Sequence, residues 1–131
     1  MKGLEKVMQY MWQWRLYGSP DKSLTDGRRL RIIHPGTLNT ASGPDFFNAK
    51  LIIDGTEWAG NVELHLRASD WHRHSHHLDR AYDSVILHVV GENDGYVRRP
   101  DGAITPPPHL PSTRELTERY ATLAGNASPL R

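Results

Sequence analysis

One stretch of the chain, Asn61-Val62-Glu63-Leu64-His65-Leu66, holds two side chains that can do chemistry together. Glu63 and His65 are two residues apart, so on a strand they share one face, while Val62, Leu64 and Leu66 share the other. An acid and an imidazole on one face of an interior strand are costly unless something satisfies them, and a divalent cation or a hydrogen-bond network would do so. Asp45, at the start of the preceding extended segment, is the second carboxylate within reach. Two carboxylates and a basic group on adjacent strands suit metal-dependent phosphodiester hydrolysis. The acids hold Mg2+ or Mn2+, the cation neutralises phosphate and acidifies a water, and the third group orients or deprotonates that water. His65 fits as that base, or as a third metal ligand beside Asp45 and Glu63. The same spacing also fits a polar network that only pins the strands together.

Whether Asp45 faces Glu63 depends on register. Asp54-Gly55, between "DFFNAKLII" and "TEWAGNVELHL", suits the positive φ angles of a two-residue hairpin turn. Ile53 then pairs with Thr56 and Leu51 with Trp58, and an unbroken ladder sets Asp45 opposite Leu64, on the wrong face. One bulge corrects this, and Gly60, alone inside its strand, is the expected place for it. Asp45 then lies across from His65, with Glu63 as its diagonal neighbour.

A second concentration of chemistry is "DWHRHSHHLD", residues 70–79, with His72, His74, His76 and His77. On a helix His72 and His76 share a face at i, i+4, and His74 and His77 share another at i, i+3. A two-histidine helical zinc motif needs a glutamate between its histidines, and none lies there. The expectation is a helix start that overlooks the carboxylates, with His74 or His76 touching a phosphate or a second metal. The plainer alternative is a solvated polar helix. His88, alone in "SVILHVV", reads as a core residue hydrogen-bonded to a group such as Asp79 or Tyr82. Arg28, Arg29, Arg31, Arg67 and Arg73 are candidates for local positive charge along a nucleic-acid backbone. "HPGTLNTASGPD" lacks the glycine spacing of a phosphate cradle, so its expected role is to shape the pocket beside Asp45.

The elements that must position these residues follow from periodicity. Leu4, Val7, Met8, Met11, Trp12 and Leu16 recur at helical spacing before Gly18-Ser19-Pro20, which predicts an amphipathic helix over 4–17 with its Met and Trp stripe in the core. "RLRIIH" at 29–34 predicts a strand, and the hairpin adds two more. Ser69 or Asp70 caps a predicted helix from Trp71 to Ala81, and residues 84–90 predict a strand covered on both faces. "TPPPHLP" reads as a stiff polyproline-type spacer, and Leu116, Tyr120 and Leu123 predict a short last helix over about 112–124. The order is helix, three strands, helix, strand, which is a mixed α/β or α+β domain over 1–95 followed by a tail over 96–131.

At 131 residues and 37% hydrophobic content the chain suits one domain with a single modest core. Sixteen Lys and Arg against fifteen Asp and Glu leave a formal charge of +1, so any attraction for phosphate must be local. The absence of cysteine removes disulfides and thiolate chemistry. Glu5, Lys6, Gln9, Gln13 and Arg15 interrupt the N-terminal apolar residues, so no signal peptide or membrane span is expected and a cytoplasmic location is the default.

The run from "IIHPGTLNTASGPDFFNAKLII" through "GNVELHLRASDW" to "SVILHVV" resembles a bacterial family defined as a domain of unknown function. The likeness covers about residues 9–90 and weakens towards 123. Members of that family continue further, which implies that this chain corresponds to an N-terminal portion. A weaker resemblance is to the PD-(D/E)XK nuclease superfamily, whose restriction-endonuclease-like core runs helix, three strands, helix, strand. That resemblance implies Pro44-Asp45 as the first acid and Glu63-Leu64-His65 in place of acid, any residue, lysine, with Glu5 as an accessory acid on the first helix. The ring of His65 is shorter than a lysine and mostly neutral. The implied function is a metal-dependent nuclease-like domain with nucleic acid as partner. The alternative is a non-catalytic binding or scaffold module.

Overall fold

The computed structural model describes residues 2–74, 78–92 and 94. Its first helix, α1, is Lys2–Gln13. Met8, Met11 and Trp12 of the predicted stripe are buried, and the Trp12 indole donates to Pro35 O at 2.9 Å. The helix stops four residues before the expected end. Arg15 adopts a left-handed φ of 59°, with Leu16 N–H bonded to Met11 O at 2.8 Å and Arg15 N–H to Trp12 O at 3.2 Å. These two bonds make a Schellman closure, in which the left-handed position normally belongs to glycine. Leu16 is thereby turned to solvent, while Tyr17 packs at a tilt against Trp12.

The strands are β1 (Asp21–Ser23), β2 (Arg29–His34), β3 (Thr37–Leu38), β4 (Phe46–Ile53), β5 (Thr56–Arg67) and β6 (Val85–Glu92). They form one mixed sheet in the order β1-β2-β4-β5-β6, with β3 paired to the start of β4. The β5–β6 pair is parallel and the other pairings are antiparallel. Three of the longer strands are those expected between residues 29 and 66, and β6 overlaps the predicted 84–90. β1 and β3 are additions, too short to show a hydrophobic period.

The β4–β5 hairpin turns at Asp54-Gly55 with φ of 47° and 82°, and Ile53 pairs with Thr56 as expected. Between β5 and β6 the sequence predicts one helix from Trp71 to Ala81. The structure instead has the short α2 (Asp70–Arg73) and a 3₁₀ turn at Arg80–Tyr82. Asp79 is extended and its side chain accepts from Ala81 N–H, so it starts a new turn rather than continuing the first. The Ser69 hydroxyl donates to Asp94 at 2.7 Å.

Two apolar clusters cover the sheet. The larger joins Met8, Met11 and Trp12 to Leu30, Phe46, Leu51, Val62, Leu64, Leu87 and Val89, among others. The smaller gathers Ala68, Trp71, Tyr82, Val85 and Val90. β6 is therefore covered on both sides, as its composition implied. Among the described residues no helix is long and apolar enough to cross a membrane. The predicted spacer and last helix, within 96–131, lie outside the described residues.

Candidate functional site

The sheet contains the bulge that Asp45 requires, but on the other strand. Ala49 pairs with Gly60 and Phe46 with Val62, so Phe47 and Asn48 of β4 together oppose Asn61 of β5. Asn48 takes a left-handed φ of 58°, which asparagine tolerates better than other residues with a side chain. Its N–H donates to Asn61 Oδ1 at 3.2 Å. An extra residue in β4 moves the ladder opposite to an extra residue in β5. Asp45 consequently falls across from Glu63 rather than His65. Gly60 is glycine for a different reason: a Cβ there would meet Ile86 Cγ2 at 2.5 Å and Ser84 O at 3.0 Å. It permits close approach rather than a bulge.

The loop before Asp45 is wound around Asn39. The Asn39 amide donates to Ser42 O and Pro44 O, both at 2.9 Å, its Oδ1 accepts from Ala41 N–H at 3.0 Å, and its N–H donates to Asp45 O at 2.8 Å. These bonds hold Pro44-Asp45 in place, which gives physical content to the expectation that this loop shapes the site. Asn39 is not among the residues that the sequence marks for chemistry. Its signal is an asparagine amid Ser, Thr, Gly and Pro, a residue suited to bonding nearby backbone.

Asp45 and Glu63 hold one another through the backbone as well as through their carboxyls. Asp45 N–H donates to Glu63 Oε1 at 3.0 Å, and Asp45 Oδ2 accepts from Leu64 N–H at 2.9 Å. Gln9 of α1 donates to Asp45 Oδ1 at 3.0 Å. Gln9 is a further functional neighbour that motif spacing does not single out, although it lies one helical turn after Glu5. Glu63 Oε2 stands 3.3 Å from His65 Nε2. Glu63 and His65 are 4% and 2% exposed, whereas Asp45 and Glu5 are half-buried. What exposure the pair has is therefore at Asp45.

Burial sets the electrostatics. It pushes the Asp45 carboxyl up to about 7, with the neighbouring Glu63 charge adding to the rise. Glu63 is raised to about 8, chiefly by burial, although its hydrogen bonds to Asp45 oppose the shift. Glu5 is raised too, first by burial; the nearby charges of Asp70 and Asp45 add to this, while His74 and the Leu66 N–H work against it. Tyr82 is raised by burial and then by the charges of Glu63 and Asp45. Three acids thus crowd one region, and burial outweighs the charges and hydrogen bonds that favour their ionised forms.

Imidazoles close the inner side. His65 Nδ1 lies 2.7 Å from His88 Nε2, and the two rings meet edge to face. His88 is fully buried, with the Trp71 ring 5.0 Å from its own, and Trp71 packs edgewise on Tyr82. Asp79, one suggested partner of His88, is engaged in capping the 3₁₀ turn. His74 reaches the group, its ring 5.0 Å from that of His65. His76 and His77 lie outside the described residues.

Of the expected residues, Asp45, Glu63, His65, Glu5 and His74 are brought together. They do not form a ready three-ligand cage: among the described residues no group of three or more His, Cys, Asp or Glu is arranged to hold a metal ion. The arginines divide. Arg28 pairs with Asp26 and Arg31 with Asp21; Arg31 also lines an open groove that includes Gly55 at the hairpin turn, the opposite end of the ladder from Asp45. Arg67 faces Glu92 at 3.8 Å and Arg73 faces Asp70 at 3.5 Å.

Fold and site together define an α+β domain whose mixed sheet carries a carboxylate pair, one buried and one half-buried, backed by imidazoles. The chain belongs to the family described as protein of unknown function (DUF2851), which matches residues 5–131. Neither a curated protein nor a solved structure matches it.

Proposed function

We propose that this chain is a metal-dependent phosphodiesterase domain of the nuclease type, with a PD-(D/E)XK-like arrangement and nucleic acid as substrate. The observation that carries this reading is the direct opposition of Asp45 and Glu63, with both carboxyls raised towards or above neutrality. A pair of acids in that condition would gain from a cation. Their donor set is hard oxygen, and one or two carboxylates are the protein share that Mg2+ commonly takes, with waters and substrate phosphate completing its shell. That is a smaller demand than a three-ligand cage.

Asp45 and Glu63 would hold Mg2+ or Mn2+, which when bound supplies charge neutralisation for the phosphate and a more acidic water. The chain's own contribution is orientation and proton transfer. Gln9 and the Leu64 N–H fix the two oxygens of Asp45, and the Asp45 N–H fixes Glu63. His65 would take up a proton at Nε2, the nitrogen that faces Glu63. Glu5, on the α1 side of the pair, takes the accessory-acid position.

A second reading, a scaffold module, is favoured by a specific observation. β5 outruns the start of β4, and the carboxylates of Asp45 and Glu5 accept the N–H groups of Leu64 and Leu66. Acids that finish a sheet edge need no other role. A cleavage assay separates the two readings, using single- and double-stranded nucleic acid with Mg2+, Mn2+ or chelator. The nuclease reading expects metal-dependent cleavage that Asp45→Asn abolishes. Folded wild-type chain that cleaves neither substrate with either metal leaves the scaffold.

A further inference from the structure

His88 has no part in that chemistry, yet it is the fully buried member of the imidazole group. In the parallel β5–β6 register His88 lies beside Glu63, and its ring leans onto His65, with Nε2 2.7 Å from His65 Nδ1. Its strand neighbours Leu87 and Val89 belong to the large apolar cluster, and Trp71 covers its ring. Between two neutral rings one nitrogen must donate while the other accepts.

The direction of that hydrogen bond decides what His65 can do. If His88 donates, the proton of neutral His65 sits on Nε2 and points at Glu63, 3.3 Å away, which spends the ring as a structural donor. If His65 donates, Nε2 keeps its lone pair on the side of the carboxylates. We propose that His88 is a positioning residue: by accepting the Nδ1–H of His65 it holds that ring as the Nδ1-protonated tautomer and keeps the Nε2 lone pair aimed at the Asp45–Glu63 pair. This rests on the reading of His65 as a base. Its geometric basis is that one nitrogen of His65 faces the acids while the other meets His88 at hydrogen-bond distance. The partner of one ring nitrogen sets the protonation of the other.

The test reads the tautomer directly and needs neither metal nor activity. Two-bond proton–nitrogen spectra of the full chain, labelled at histidine nitrogen, distinguish a protonated from an unprotonated ring nitrogen. The expected result for His65 in the wild type is a protonated Nδ1 and a bare Nε2. His88→Gln, whose amide oxygen can accept in place of the ring nitrogen, keeps that pattern; His88→Leu loses it and shows both tautomers. A wild-type His65 protonated at Nε2 overturns the proposal, as does an unchanged pattern in His88→Leu with a native amide spectrum. Should His88→Leu not fold, the wild type and His88→Gln decide alone. A protonated Nδ1 that depends on His88, in a chain that cleaves nothing, refutes the nuclease reading and leaves the positioning role standing.

Discussion

Replacing Glu63 with glutamine should make the domain more stable at alkaline pH. The glutamine preserves the shape of the side chain and, through its amide oxygen, an acceptor for the Asp45 N–H, but it cannot ionise. In the native chain the Glu63 carboxyl is moved from 4.5 to about 8, so the folded state holds its proton more tightly than the unfolded state does. The resulting stabilisation is fully present below about 4.5 and is lost as pH rises through about 8. At about 1.4 kcal/mol per pH unit, the ionised carboxyl costs about 5 kcal/mol. Water reaching the half-buried Asp45 screens part of that cost, and in the variant Asp45 still ionises within the fold. A net gain of roughly 2–3 kcal/mol at pH 8.5 is therefore expected, against a difference within about 1 kcal/mol at pH 5. Urea denaturation of both proteins at the two pH values, without divalent ions, measures it. A Glu63→Gln variant that is less stable at pH 8.5 than at pH 5, relative to wild type, would show instead that Glu63 is ionised and compensated in the native state.

Three further outcomes test the parts that position the site. Asn48→Val, forced to a left-handed φ, should lose about 1–2 kcal/mol in thermal denaturation, while Asn48→Gly should be neutral or slightly stabilising. Gly60→Ala should lose roughly 1–3 kcal/mol because its methyl group meets Ile86 and the Ser84 carbonyl, and Ile86→Ala should restore part of the loss. Arg15→Gly should gain about 0.5–1 kcal/mol in the same measurement, since glycine adopts the left-handed end of α1 without strain and the arginine gives up a long, exposed hydrogen bond of 3.4 Å to Ile33 O.

The hairpin was legible because local chemistry determines it. Asp54-Gly55 can turn in two residues, and the alternation of Val62, Glu63, Leu64 and His65 assigns faces whatever else happens. The position of the register shift was not legible. The need for one extra residue followed from parity and Gly60 was the expected place, but the extra residue lies in β4 at Phe47-Asn48, and Gly60 is glycine because Ile86 and Ser84 press on it. That pressure comes from a segment more than 20 residues away in the chain. The early end of α1 was hidden for a related reason, since arginine has no preference for the left-handed position Arg15 occupies. The role of His88 depends on a parallel pairing that no local pattern announces. By contrast Glu5 and His74 were named from helical position and motif resemblance, and they do stand in the field of the acids.

The proposed nuclease chemistry requires that Asp45 and Glu63 together hold a divalent cation. Calorimetric titration of Mn2+ into the metal-free wild-type chain, and into Glu63→Ala and Asp45→Asn, tests it most directly. The expected result is one saturable site in the wild type, with proton release near neutral pH because the carboxyls must ionise to bind, and no measurable site in either variant. Binding that is absent from the folded wild type, or that both variants retain at full strength, would contradict it.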